Sequence, residues 1–223
     1  LYVATRFFLR YNEKNGGRKQ MKILLTAINA KYIHSNLAVY NLRAYAAHYA
    51  KGMADSDTVE IGEYTINNQM EDILEGIYKA KPDVLMFSCY IWNIAFVEEV
   101  PVWVGGPEVS YETESFLREH PQITGVMIGE GEKTFCELAE YYAGESRRDK
   151  EKQKIQETQR TGEGKSTEER SKPGEIPGIA YRNGDEIIFT APREMLDLSD
   201  IPFCYDKAGD FKNRIIYYES SRG

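Results

Sequence analysis

Val104-Gly-Gly-Pro-Glu-Val-Ser110 and Ile128-Gly-Glu-Gly-Glu-Lys-Thr134 are two versions of one sentence. In each, a short β-branched run ends in glycine, and an acidic or hydroxyl residue then opens an apolar-periodic helix. The pattern reads as strand, tight turn, helix. At the carboxyl end of a parallel strand, glycine lets the backbone approach a bulky ligand, and the helix that follows offers unpaired N–H groups. Two such turns behind two further strands with polar ends predict a ligand-binding edge of an open α/β sheet.

Working outward, strands and helices alternate. Lys22–Ile28 reads as a buried strand and Asn29–Ser35 as its loop. Asn36–Ala50 places Leu37, Tyr40, Leu42, Ala44, Tyr45 and Ala47 near helical spacing, with Ser35 or Asn36 as N-cap. Thr58–Thr65 is a second strand, and Met70–Ala80 a second helix with Ile73, Leu74 and Ile77 on one face. Val84–Ser88 is nearly all apolar, as a strand covered on both faces requires. A loop, Cys89–Asn93, a helix over Ile94–Val100 and a strand over Val102–Val104 follow at once. A parallel crossover normally takes a dozen or more residues, and a helix from Asn93 to Val100 spans only about 12 Å. Either this helix is unusually small or residues are missing between Val100 and Pro101, and the second reading is favoured.

Beyond Ser110, the spacing predicts a helix over Tyr111–Glu119, a fifth strand over Gly125–Ile128 and a helix over Lys133–Ala143 with Phe135, Leu138, Ala139 and Tyr142 inward. The domain expected from this is 21–143. Residues 144–175 are rich in Glu, Lys, Arg, Gln, Ser and Thr, with one large aliphatic, Ile155. Such a stretch buries too little apolar area to offset ordering and reads as a flexible insertion, with a charged surface helix near Arg147–Gln159 as the other reading. In 176–223, Pro177–Arg182, the turn Asn183-Gly184 and Glu186–Thr190 form a hairpin, followed by an extended linker. Residues 1–20 are basic and read as an upstream extension, with Met21 as the natural start.

The 223 residues are 42% hydrophobic and 28% charged, with a net charge of −7, the profile of a globular domain. The negative balance and the lack of a basic stripe with interleaved aromatics argue against nucleic acid. Cys89, Cys136 and Cys204 are too few and too scattered for a disulfide framework or a metal pair. No apolar run approaches the roughly 18 residues of a membrane span, so a cytoplasmic domain is expected.

Phe87-Ser88, Val104-Gly-Gly-Pro, Gly129-Glu-Gly-Glu-Lys-Thr, Ile176-Pro-Gly-Ile-Ala-Tyr-Arg and Tyr218-Glu-Ser-Ser-Arg-Gly, in this order, resemble the N-terminal cobalamin-binding domain of cobalamin-dependent radical S-adenosylmethionine (SAM) enzymes. The resemblance covers roughly Met21–Gly223. It implies an α/β, flavodoxin-like (Rossmann-like) fold: five parallel strands in the order 2-1-3-4-5 with helices on both faces, plus a C-terminal β-hairpin appendage. It also implies a C-terminal radical SAM domain with a 4Fe-4S cluster and S-adenosylmethionine, since in that family Ser-Arg-Gly leads into a CxxxCxxC segment. Methyl transfer to an unactivated carbon of a small-molecule or peptide substrate would be the parent activity, with no catalytic residue in this domain.

By the same resemblance, the corrin lies over the carboxyl edge and the nucleotide tail enters between sheet and helix. Ser88 faces the tail's benzimidazole, Gly105 and Gly106 flank the tail, and Pro107, Glu108 and Ser110 share their loop. Gly129, Glu130, Gly131 and Glu132 contact corrin side chains. Asn29–Asn36 passes under the cobalt, with Tyr32, His34 and Ser35 in that loop. The Asp-x-His-x-x-Gly signature of histidine-ligating domains is absent around His34, which implies base-off, His-off binding, with His34 near the metal but not its expected ligand. Tyr90 and Trp92 stack on the cofactor or pack on a neighbouring domain.

Other classes fit less well. A dinucleotide fold wants G-x-G-x-x-G after its first strand, and Asn29–Asn36 contains no glycine; a flavodoxin's phosphate loop is missing there too. A receiver domain needs an Asp where Ser88 stands. An interaction module on this fold that has lost cofactor binding is the alternative.

Overall fold

The computed structural model describes residues 20–31, 34–88, 102–158, 173–205, 211 and 214–221, with the side chains of 148–158 left aside. The expected N-terminal extension, the helix over Ile94–Val100, Tyr32, Tyr90 and Trp92 lie outside these residues.

Strand β1 (Lys22–Asn29) is followed by α1 (Leu37–Tyr49), β2 (Thr58–Thr65), α2 (Met70–Ala80), β3 (Val84–Ser88) and β4 (Val102–Gly105). Next come α3 (Pro107–Ser110), α4 (Thr113–Glu119), β5 (Gly125–Met127), α5 (Gly131–Thr158), β6 (Ile179–Asn183) and β7 (Glu186–Phe189). One sheet contains all seven strands in the order β2-β1-β3-β4-β5-β6-β7. The first five are parallel in the expected order. The expected C-terminal hairpin is present and joins the sheet: β6 pairs antiparallel with β5, Val126 opposite Ala180.

Period-2 alternation sends β1 residues to two cores. Ile23, Leu25 and Ala27 pack with Met86, Trp103 and Met127 under α1 and α5. Leu24 and Ile28 pack with Leu85, Phe87, Val102 and Val104 under Ile73 and Ile77 of α2, Val109 of α3 and Leu117 of α4. Leu74, expected on the inward face of α2, is 41% exposed, because Ile73 and Ile77 one turn apart already fill the contact with the sheet. The loop anticipated after Gly106 contains a helical turn, α3, and the helix expected over Tyr111–Glu119 begins two residues later, at Thr113.

Leu85 lies opposite Val102 and Ser88 opposite Gly105, so the link from β3 to β4 returns only three residue steps, about 10 Å at roughly 3.3 Å each. That link, where residues were expected to be missing between Val100 and Pro101, lies outside the described residues. Helix α5, expected to end at Ala143, runs for 28 residues to Thr158. Glu, Lys, Arg and Gln are good helix formers, and the first turns past Ala143 are tied down: Arg147 Nε donates to the Ala143 carbonyl, and its guanidinium reaches the Gly52 carbonyl. The charged stretch is thus helical over its first half, as in the second reading of it.

Trp103 on β4 is fully buried and donates its indole N–H to the Tyr142 hydroxyl at 2.7 Å. Its ring lies over Gly125 of β5, where a β-carbon would stand 2.4 Å from the ring and 2.7 Å from the Ala180 carbonyl. Cys136 on α5 is buried, and burial pushes its thiol up to about 12, so it stays protonated.

The polar centre of the fold is Glu63 on β2, whose side chain is 9% exposed. Its carboxylate accepts from Asn29 Nδ2 (3.1 Å), the Asn36 backbone N–H (3.1 Å), the Tyr40 hydroxyl (2.6 Å) and Arg214 Nη1 (2.5 Å). Burial first, then the hydrogen bond to Glu63 and its charge, hold the Tyr40 phenol well above its ordinary range, so it remains a donor.

Two substitutions test this frame by urea denaturation. Gly125→Ala is expected to destabilise by about 1–3 kcal/mol, because neither a packed indole nor a sheet carbonyl can yield. Glu63→Leu, which strands a partly buried guanidinium and three further donors, is expected to lose about 3–5 kcal/mol; Arg214→Met, which leaves the carboxylate three donors, about 1–2 kcal/mol. A Glu63→Leu loss no larger than that of Arg214→Met would contradict the role given to the carboxylate.

Candidate functional site

A cleft of about 760 Å³ opens at the carboxyl edge between α1 and the sheet, a size typical of small-molecule sites. Its floor is apolar: Leu25, Met86 and Met127 from the strands, Leu37, Val39 and Leu42 from α1. Its rim is built from the strand ends, with Ser88, Gly105, Gly106 and the run Gly129–Glu132. A third wall comes from Arg193, Glu194 and Met195, and a fourth from Tyr217, Tyr218 and Glu219 of the carboxyl-terminal strap.

The glycines do distinct things. Gly105, two residues after Trp103, lies on the same face of the sheet and so faces the cleft, where an absent side chain leaves the space beside Met127 open; a β-carbon there would meet Met127 Cε at 3.3 Å. Gly106 sits at φ 119° and Gly129 at φ 77°, conformations in which a side chain is strained. A β-carbon on Gly129 would meet nothing within 4 Å, so the backbone there is open to a ligand.

The remaining expected residues divide. Asn36 is the N-cap of α1 but makes no side-chain cap bond; its amide donates to Ser88 Oγ at 3.3 Å, tying the helix start to the end of β3. Asn29 bridges the His34 carbonyl (3.0 Å) and Glu63. Ser35 is buried and donates to the Ile215 carbonyl at 3.1 Å. The His34 ring stacks on Tyr217, with centroids 5.5 Å apart, and its Nδ1 pairs with the Tyr217 hydroxyl. Asn29, His34 and Ser35 therefore build the loop and hold the strap, and none of them lines the cleft. Pro107 and Glu108 are exposed, and Ser110 Oγ donates back to the Gly106 carbonyl at 2.8 Å; these too stand outside it. Glu130 lines the cleft and accepts from the Leu196 N–H at 2.6 Å.

Sequence reasoning missed two walls. Arg193 is fixed by Thr134 Oγ1 (2.7 Å), the Pro177 carbonyl (3.0 Å) and an ion pair with Glu137. Together with the Glu130 bond it clamps the linker beside the start of α5. The signal was one arginine in an otherwise unpatterned stretch. Among the described residues no three His, Cys, Asp or Glu side chains converge as metal ligands, and no helix is long and apolar enough to cross a membrane.

An apolar slot with a glycine-built rim at a sheet's carboxyl edge fits a long, partly apolar cofactor better than a catalytic centre. Comparison with known proteins agrees. Residues 23–139 match the family described as the B12 binding domain. The chain is 36% identical over 80 residues to the cobalamin-dependent radical SAM methyltransferase TokK of Streptomyces tokunonensis, covering 31% of this chain and 12% of that protein. It is 31% identical over 133 residues to the 2-(S-pantetheinyl)-carbapenam-3-carboxylate methyltransferase of Streptantibioticus cattleyicolor, covering 55% of this chain and 18% of that protein. The apo structure of the cobalamin-dependent S-adenosylmethionine radical enzyme OxsB superposes with a TM-score of 0.52 at 15% identity, over 94% of this chain and 29% of that one. The chain thus spans less than a fifth of the length of these two curated relatives. It belongs to the B12 binding domain family, as a cobalamin-binding domain related to the cobalamin-dependent radical SAM methyltransferases.

Proposed function

We propose that this chain holds cobalamin base-off and His-off, with the corrin over the carboxyl edge and the nucleotide tail in the cleft, and presents it to a radical SAM domain C-terminal to it. The parent activity on this reading is transfer of a methyl group to an unactivated carbon of a small-molecule or peptide substrate. Bound cobalamin would supply the methyl-carrying cobalt, and the 4Fe-4S cluster and S-adenosylmethionine of the following domain the radical. The names of the two methyltransferase relatives support this reading.

The observation that carries it is the open space in front of Gly105, between Met127 and α1. The residues present suit the cofactor: the floor is apolar enough for a benzimidazole, and the backbone at Gly129 is bare to the corrin side. Ser88 and the Gly105 backbone orient the tail. The His34 imidazole, engaged by Tyr217, is positioned to hold the strap and not to ligate cobalt. This reading gives the described residues no proton transfer and no bond-making step in the reaction.

A titration of the chain with hydroxocobalamin, followed in the visible spectrum, is expected to saturate with a base-off spectrum. Gly105→Val is expected to weaken binding about tenfold or more while the protein still melts cooperatively. Gly106 is a poorer choice, because any side chain at φ 119° strains the backbone irrespective of a ligand. Unchanged affinity in Gly105→Val would refute the tail slot. Failure of the unsubstituted chain to bind would favour the interaction-module alternative.

A further inference from the structure

Asn41 lies on α1 one turn beyond Leu37 and is only 7% exposed. It lines the cleft and also a smaller cavity of about 180 Å³, beneath Phe203, on the other side of the strap. An amide carries two donor hydrogens and an acceptor oxygen, yet the Asn41 side chain hydrogen-bonds to none of the described residues. Of the other polar side chains buried in the cleft wall, Glu132 is engaged within the protein and Arg193 is held by Glu137, Thr134 and Pro177. Neither Asn41 amide atom is among the fully buried unpartnered atoms, so the amide stays open to the cavities that the residue lines. Its neighbours along the same helix face, Leu37, Ala38 and Leu42, show that an apolar side chain would satisfy the fold.

We propose that Asn41 recognises the sugar–phosphate part of the cofactor's nucleotide tail. The proposal rests on the cobalamin reading of the cleft and adds a specificity residue to it. The position favours the tail over the corrin. Helix α1 begins at the carboxyl edge, where Asn36 touches Ser88 at the end of β3. Asn41 lies about 6 Å further along the helix, at 1.5 Å per residue, below the rim on which a corrin would rest. A ribose hydroxyl and phosphodiester oxygens together offer the donor and acceptors that a primary amide can pair, and the apolar floor offers none.

The test compares Asn41→Leu and Asn41→Asp with the unsubstituted chain, using hydroxocobalamin and cobinamide, which has the corrin and its amide arms but no nucleotide. For hydroxocobalamin, Asn41→Leu is expected to lose about tenfold in affinity, and Asn41→Asp more, since its charge repels the phosphodiester. For cobinamide, Asn41→Leu is expected to bind as the unsubstituted chain does. Without ligand, Asn41→Leu is expected to melt no lower, because the amide makes no hydrogen bond to the described residues that leucine would lose. A lower melting temperature in the apo protein, equal hydroxocobalamin affinity, or an equal loss for both ligands would each overturn the assignment while leaving the cobalamin reading in place. No hydroxocobalamin binding by the unsubstituted chain would overturn both.

Discussion

One buried carboxylate holds together the parts of this protein that are not sheet. Glu63 stands near the carboxyl end of β2 and gathers donors from the end of β1, the start of α1, the body of α1 and the strap that returns from the far end of the chain. A single charge in a confined space tolerates this only when its lone pairs are filled, and four donors fill them. The loop that passes the rim of the cleft, the helix that forms its wall and the strap across its mouth are therefore set by the same group.

The cleft is the complement of that arrangement. Where Glu63 draws polar groups together, the middle of the sheet presents strands that end in small residues, and α1 stands away from them far enough to leave a slot. The two halves depend on each other: were α1 not tied at Asn36 to both Glu63 and Ser88, the apolar floor would be free to close on itself. The linker wall is fixed by the same means, through the Arg193 and Glu137 pair and the Glu130 carboxylate.

The elements most legible in the sequence were those whose signal is periodic. β2, α2 and β3 have the boundaries anticipated, because continuous apolar runs and helical spacing report burial directly. The rim glycines were legible for a different reason, since strand-Gly-helix junctions occur where they were read. What periodicity could not show is single polar residues with tertiary partners. Glu63 sits in Thr-Val-Glu-Ile-Gly-Glu-Tyr-Thr, where a glutamate reads as a solvent-facing position, and Asn41 interrupts a helix face without leaving a pattern. The continuation of α5 past Gly144 was obscured by composition, which describes how much a stretch can bury and not whether a helix already begun will stop. The hairpin was visible, but its pairing with β5 was not, because nothing local in Ile179–Asn183 specifies its neighbour.

That pairing changes how the molecule meets its own copies. A three-residue parallel strand, β5, would otherwise end the sheet with open backbone groups; instead the last strand is β7, four residues long and beginning at Glu186. At the opposite margin β2 is long, but it carries Glu60, paired with Lys22, and turns Glu63 inward. Short or charged border strands are poor templates for a second chain. A protein of this kind resists strand-to-strand aggregation by its topology, even while its ligand edge displays the exposed aromatic Tyr218.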